Sequence, residues 1–238
     1  MYRVAGVWPL KDGAAALAAL AAAPPVDRFA GVPLHAPVLI VPHVFEPALC
    51  ASLIDYYRRE GGDVSGVARD VAGKTENVDV PDKKRRSDCT IADPALRDET
   101  TRRMAVRLFP QIEKAFYYKV TRVERYIVAC YDAATGGYFK MHRDTTSAAT
   151  AHRAFAVTMN LNADSFTGDD LCFPEYGTRT YRAPTGGAVV FSCHLLHEAM
   201  PVTRGQRFAF LPFLYNEEGE AIRQRTSLLA GSSVKRQA

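Results

Sequence analysis

The stretch TRVERYIVACYDAATGGYFKMHRD, residues 121–144, decides the fold. From Lys119 the pattern takes a period of two: Val120, Arg122, Glu124 and Tyr126 alternate with Thr121, Val123, Arg125 and Ile127. Alternate side chains of a strand point to opposite faces, so this rhythm, rich in β-branched and aromatic residues through Tyr131, reads as β-structure. Gly136-Gly137 supplies a turn, and a second run over residues 138–144 comes after it.

The second run ends in His142-Arg143-Asp144. On a strand, His142 and Asp144 project together while Arg143 projects away. Two ligands from one strand and a third from a distant one can occupy one face of an octahedron. Two histidines, one carboxylate and open positions are the ligand set of non-haem iron(II) oxygenases. The H-x-D pattern alone arises by chance in many proteins, so its weight depends on the residues downstream of it.

Short β runs lie at 155–162, 170–173, 178–182, 188–191, 195–199 and 208–215, separated by turn signals such as Pro184-Thr185-Gly186-Gly187 and Arg204-Gly205. Upstream, Val38-Leu39-Ile40-Val41 is a short strand, and Glu46-Pro47 opens a helix with Leu49, Leu53, Ile54 and Tyr57 on one face. Asp93-Pro94 opens another, which Pro110 should kink or divide. Residues 63–92 show no clear period, and their run Lys83-Lys84-Arg85-Arg86 reads as a solvated loop, with a binding patch as the alternative. Two helices ahead of about eight strands predict an α+β chain whose antiparallel sandwich or barrel is backed by helices. The expected organisation is an N-terminal extension over residues 1–36, one domain over 37–216, and a polar tail over 217–238 that frays.

His197 sits in Leu195-Leu196-His197-Glu198-Ala199, and ten residues on Arg207 leads into the apolar run Phe208-Ala209-Phe210-Leu211. An arginine at the head of such a run needs a partner. Its planar fork matches a carboxylate, either a dicarboxylate ligand or an internal Asp or Glu. His194, three residues before His197, is read as a supporting or surface residue. The small polar segment 145–153, with His152, is read as a substrate lid or as an ordinary surface loop.

Several pieces stand in a fixed order: Ala129-Cys130-Tyr131, Gly137-Tyr138, His142-x-Asp144, Leu161-Asn162, and Gly168-Asp169-Asp170-Leu171 with Phe173-Pro174. Gly186-Gly187-Ala188-Val189-Val190-Phe191 and Leu196-His197-Glu198 through Pro201-Val202-Thr203-x-Gly205-x-Arg207 complete the set. Residues 131–215 therefore resemble the 2-oxoglutarate/iron(II) dioxygenase superfamily, specifically its prolyl 4-hydroxylase-like branch. The resemblance implies a double-stranded β-helix (jelly roll) core with N-terminal supporting helices. It makes His142, Asp144 and His197 the metal-binding and catalytic triad and Arg207 the 2-oxoglutarate anchor. Tyr131 matches a cosubstrate-pocket residue, and Asn160 stands where some relatives carry a tyrosine that reaches the cosubstrate carboxylate. The implied reagents are Fe(II), 2-oxoglutarate and O2, with ascorbate admissible as an auxiliary reductant. The implied reaction hydroxylates an unactivated C–H bond while 2-oxoglutarate is decarboxylated to succinate.

Composition restricts the alternatives. The 238 residues, 47% hydrophobic and 24% charged, suit one domain with a sizeable core. A net charge of +4 demands neither nucleic acid nor membrane. Five scattered cysteines without a C-x-x-C pair make a poor disulfide or zinc framework, and the expected location is the cytoplasm. The alanine-rich stretch 13–25 is too short to span a bilayer and reads as a surface or docking helix. The substrate is expected to be an amino-acid side chain, free or in a peptide or protein, with a biosynthetic small molecule as the alternative. A non-catalytic metal-binding jelly roll is the alternative of another class. The weak basic footprint argues against nucleic acid, and the chain is silent on oligomeric state.

Overall fold

The computed structural model describes residues 6–23, 34–71, 74–78, 80–168 and 170–229. The apolar runs pair into two antiparallel sheets laid face to face, the jelly roll that the resemblance implies. The major sheet runs in the order Leu39–Val41, Ala188–Ser192, Phe155–Asn160, Gln206–Phe210, Ile127–Asp132, Ser87–Thr90, Asp63–Val64, with Phe213–Tyr215 joining Phe155–Asn160 to Arg122–Glu124. The minor sheet runs Thr180–Tyr181, Leu171–Cys172, His197–Ala199, Tyr138–His142, Lys84–Arg85. Every residue of Phe155–Asn160 is buried, because one face of this central strand meets the helices and the other meets the minor sheet.

The supporting helices cover the outer face of the major sheet. Pro47–Glu60 starts with proline at its first turn and buries Leu49, Cys50, Leu53 and Tyr56. Pro94–Arg107 is capped by Asp93, whose side chain accepts from the Ala95 N–H at 2.9 Å. Pro110 cannot donate a helical hydrogen bond, and the helix divides there into Pro94–Arg107 and Phe109–Phe116. Between helices and sheet lies the main core, with Phe45, Leu53, Met104, Leu108, Ile112 and Phe210 essentially inaccessible. The turn at Gly186 is pressed against this core. Its φ of +74° and a backbone contact with Phe45 O leave no room for a side chain.

Three expectations are corrected. The charge run Lys83–Arg86 is not a solvated loop, and residues 63–92 around it contain Asp63–Val64, Val67–Val71, Lys74–Val78, Lys84–Arg85 and Ser87–Thr90. Lys84 and Arg86, from the charge run, are 5% and 8% exposed. The inward face here is polar, so no hydrophobic period advertises it. The single run expected from Lys119 to Tyr131 is two strands, split at Arg125, whose φ is +67°. The tail after Asn216 is the helix Glu217–Leu229: Asn216 caps it through the Gly219 N–H at 3.1 Å, and Glu217, Glu218 and Glu220 crowd its positive end. The basic end beyond it lies outside the described residues. Helix Gly13–Ala21 does form, and it buries none of its residues. No described helix is long and apolar enough to cross a membrane.

Phe210 packs its ring 5.6 Å from that of Phe45 and 6.3 Å from that of Tyr126. Replacing it by alanine should cost about 3–5 kcal/mol, the usual penalty for emptying an aromatic core position. Urea unfolding midpoints with an unchanged slope would show it.

Candidate active site

The site starts from a cross-strand pair. His142 ends Tyr138–His142 directly opposite His197, which begins His197–Ala199. Asp144 stands two residues on, and its N–H donates to Cys193 O at 3.0 Å, tying the end of one segment to the loop before the other. Side-chain donor atoms of His142, Asp144 and His197 lie within 4.8 Å of one another. Each histidine donates its Nδ1–H to the backbone carbonyl two residues earlier, His142 to Lys140 O at 2.8 Å and His197 to Leu195 O at 2.9 Å. A carbonyl can only accept, so both rings carry the proton on Nδ1 and turn an Nε2 lone pair inward. Those two Nε2 atoms each stand 3.5 Å from an Asp144 oxygen. Burial holds the His197 imidazole down at about 4, although the Asp144 charge pulls the other way. Two imidazole nitrogens and a carboxylate gathered this closely suit a divalent cation, and the N2O donor set suits iron(II).

Neighbouring residues fix this arrangement. Phe139 stacks on His142 with 3.5 Å between ring centres, and Phe191 meets His197 edge-on at 4.6 Å. Arg143, directed away from the triad, donates to His194 O and to Glu175 at 2.9 Å. Glu175 in turn accepts from the Leu196 N–H at 3.2 Å, so one ion pair braces both ligand-bearing segments. His194 contacts Thr145 through Nδ1 and stands outside the triad.

Two cavities meet at the triad. The first is a narrow cleft of about 50 Å³ bordered by Tyr131, Arg86, Thr158 and Arg207. Arg207 is 2% exposed, lies opposite Tyr131 in register, and holds its guanidinium 5.2 Å from the Tyr131 ring. Asn160 does not border the cleft. Its side chain accepts from Arg207 Nε at 3.0 Å and donates to Ala183 O at 2.8 Å, so it orients the guanidinium from behind.

The second cavity, of about 490 Å³, shares His142, Asp144, Phe139 and Arg125 with the first and opens between residues 63–67 and the segment 145–153. Thr146, Ser147, Thr150 and Arg153 of that segment line it. The sequence reading missed the charged residues around this cavity. Lys84, Arg86 and Asp88 alternate where the chain passes from the minor to the major sheet, the period-two signal that would have revealed them. Glu124 takes two bonds from Arg153, at 2.6 and 3.1 Å, and one from His152 Nε2 at 2.7 Å. His152 is thus a buried partner of Glu124, only 4% exposed.

The fold and this donor set resemble those of 2-oxoglutarate-dependent oxygenases. Residues 126–215 match the model of the 2OG-Fe(II) oxygenase superfamily, and the chain is similar over most of its length to hydroxylases of the prolyl 4-hydroxylase-like kind. A PKHD-type hydroxylase of Xanthomonas campestris pv. campestris is 26% identical over 189 residues, 72% of this chain and 75% of that protein. One from Burkholderia lata is 33% identical over 82 residues, 31% of this chain and 36% of that protein. In fold, the chain resembles a Trichoplax adhaerens prolyl hydroxylase solved with a hypoxia inducible factor peptide fragment (TM-score 0.61, 16% identity, 83% of this chain and 90% of that one). It likewise resembles a Pseudomonas putida prolyl-4-hydroxylase (TM-score 0.56, 17% identity, 80% and 96%).

Burial alone would raise the Glu124 carboxyl, but the bonds from His152 and Arg153 outweigh it and hold the group at about 2, against an ordinary 4.5. A carboxyl depressed in the folded state contributes stability above its unfolded value, and that contribution is lost as pH falls towards the folded value. Glu124→Gln should therefore cost about 3–5 kcal/mol at neutral pH, as when one partner of a buried pair is removed. The gap to the wild type should close between pH 4.5 and about 2. Urea midpoints across that range check both the size and the sign.

Proposed function

We propose that His142, Asp144 and His197 hold iron(II), that Arg207 grips the far carboxylate of 2-oxoglutarate in the narrow cleft, and that the enzyme hydroxylates an amino-acid side chain, free or within a peptide. One observation carries the reading: three metal donors gathered within 4.8 Å, beside a buried arginine in the adjoining cleft. When bound, iron would supply the centre at which O2 and 2-oxoglutarate react, one oxygen atom ending in succinate and the other in the hydroxylated product as CO2 leaves.

The chain's own contribution is placement. The Nδ1–H bonds to Lys140 O and Leu195 O keep both imidazoles aimed, and the Arg143–Glu175 pair keeps their two segments in register. Asn160 holds Arg207 through its Nε, and Arg207 and Tyr131 both line the cleft. Phe139, Phe191 and Leu171 keep the reacting centre apolar on the sheet side, which excludes water and strengthens the charge contacts within. The larger cavity, on the other side of the triad, would receive the substrate. Five free, buried cysteines fit a reducing compartment such as the cytoplasm.

A small-molecule oxygenase would use the same machinery, and the prolyl hydroxylase relatives are what favour an amino-acid side chain. A non-catalytic module would be expected to have lost a donor or the arginine, and all four are in place.

Succinate formation from 2-oxoglutarate with added Fe(II) tests the reading. His142→Ala should abolish turnover and also weaken Mn(II) binding measured by calorimetry. Arg207→Gln should raise the KM for 2-oxoglutarate by about 30-fold or more, the lower end of the cost of truncating a buried charge pair. Succinate production undiminished in His142→Ala would sink the assignment.

A further inference from the structure

The larger cavity is lined by more cations than carboxylates, Lys83, Lys84, Arg125, Arg143 and Arg153 against Asp63, Asp88 and the triad's Asp144. Of its lining cations, Arg153 is taken up by Glu124 and Arg143 by Glu175. Lys84 and Arg125, with Arg86 behind them, have a single carboxylate among them, Asp88. Its Oδ2 accepts from Arg86 at 2.6 Å, from Arg125 at 3.2 Å and from Ser65. Lys84 Nζ bonds only the neutral Ser65 Oγ at 2.5 Å and Gly66 O at 2.8 Å, over the Phe139 ring. Among the described residues no carboxylate lies within ion-pair distance of Lys84. An ammonium has three donors, so one remains to be used.

Such an arrangement is costly. A buried ammonium without a counter-ion is among the least favourable groups a fold can carry. Arg125 adds strain, because a non-glycine residue at φ +67° is kept there only where its surroundings impose it. This conformation splits the strand and directs the guanidinium to the border between the two cavities, with 30% of the side chain still accessible. The hydrogen-bonding capacity of the group is also unspent: Arg86 Nε and Asp88 Oδ1 are buried without partners. Burial, and then the Arg86 charge, push the Lys84 ammonium down to about 6, so an anion beside it would favour the charged form that burial disfavours.

The geometry points to a substrate that carries a carboxylate, held between Lys84 and Arg125 on the wall of the 490 Å³ cavity beside the triad. This rests on the triad being the reaction centre. It adds that the second, cationic cavity selects an anionic substrate, while the cleft with Arg207 takes the cosubstrate. The carboxylate has two sources, the α-carboxylate of a free amino acid or an acidic side chain within a peptide.

Calorimetry or ligand-observed NMR on the full chain, with Mn(II) and 2-oxoglutarate present, separates them. One arm compares free amino acids with their C-terminal amides, and the other compares short peptides bearing Glu with the same peptides bearing Gln. The wild type should favour the carboxylate member of one arm by about tenfold or more. Lys84→Gln and, independently, Arg125→Gln should erase that preference, and Lys84→Arg should keep most of it. Should one variant fail to fold, the wild-type comparison and the other variant still decide the matter.

The inference is overturned if the wild type binds none of the probes or shows no preference, or if the preference survives both Gln substitutions. It is also overturned if Lys84→Gln instead weakens 2-oxoglutarate, which would make the anion the cosubstrate. Failure of the oxygenase reading is a separate result, visible as no binding of Mn(II) or 2-oxoglutarate whatever the probes do.

Discussion

The hydrogen bond from each histidine Nδ1 to the carbonyl two residues before it is the constraint on which the site depends. It recurs at both positions, and the cross-strand register of His142 with His197 brings the two copies face to face. Neither ring can then turn away or exchange tautomer without leaving a backbone carbonyl unpaired. The register that brings these groups together is fixed elsewhere, by the apolar main core under the helices and by the Arg143–Glu175 brace.

The sequence disclosed those parts of the molecule in which chemistry and periodicity agree. His142 and Asp144 were legible because a strand puts alternate residues on one side, and His197 and Arg207 because each stands within or just before an apolar run. The helices announced themselves through Pro47, Asp93-Pro94 and Pro110. What stayed hidden has one physical cause. The strands Lys84–Arg85 and Ser87–Thr90 turn their polar residues inward, towards a cavity and away from the apolar core. Hydrophobic periodicity detects burial in apolar surroundings and is blind to burial around charges, so Lys84 and Arg86 looked like solvated lysine and arginine. The helix Glu217–Leu229 was missed for a related reason, since its support comes from capping and from Tyr215, Glu220 and Arg223 more than from an apolar stripe.

Asn160 shows how a small side chain changes the division of labour. An amide this short reaches Arg207 Nε and Ala183 O and nothing beyond them, so it lends the guanidinium direction and leaves the cleft itself to other groups. Tyr131 then borders the cleft beside Arg207, while its hydroxyl accepts from Arg86 at 3.2 Å. That bond connects the two cavities, because Arg86 is also the strongest partner of Asp88, and Asp88 is what Arg125 leans on.

The chain Arg207–Tyr131–Arg86–Asp88–Arg125 is therefore one continuous polar layer between the sheets, with the triad at its edge. In a low-dielectric interior, charge placed at one end of such a layer is felt at the other, more strongly than it would be through water. The two cavities are therefore coupled through Arg86, which bonds both the Tyr131 hydroxyl beside the narrow cleft and Asp88 beside the wide one.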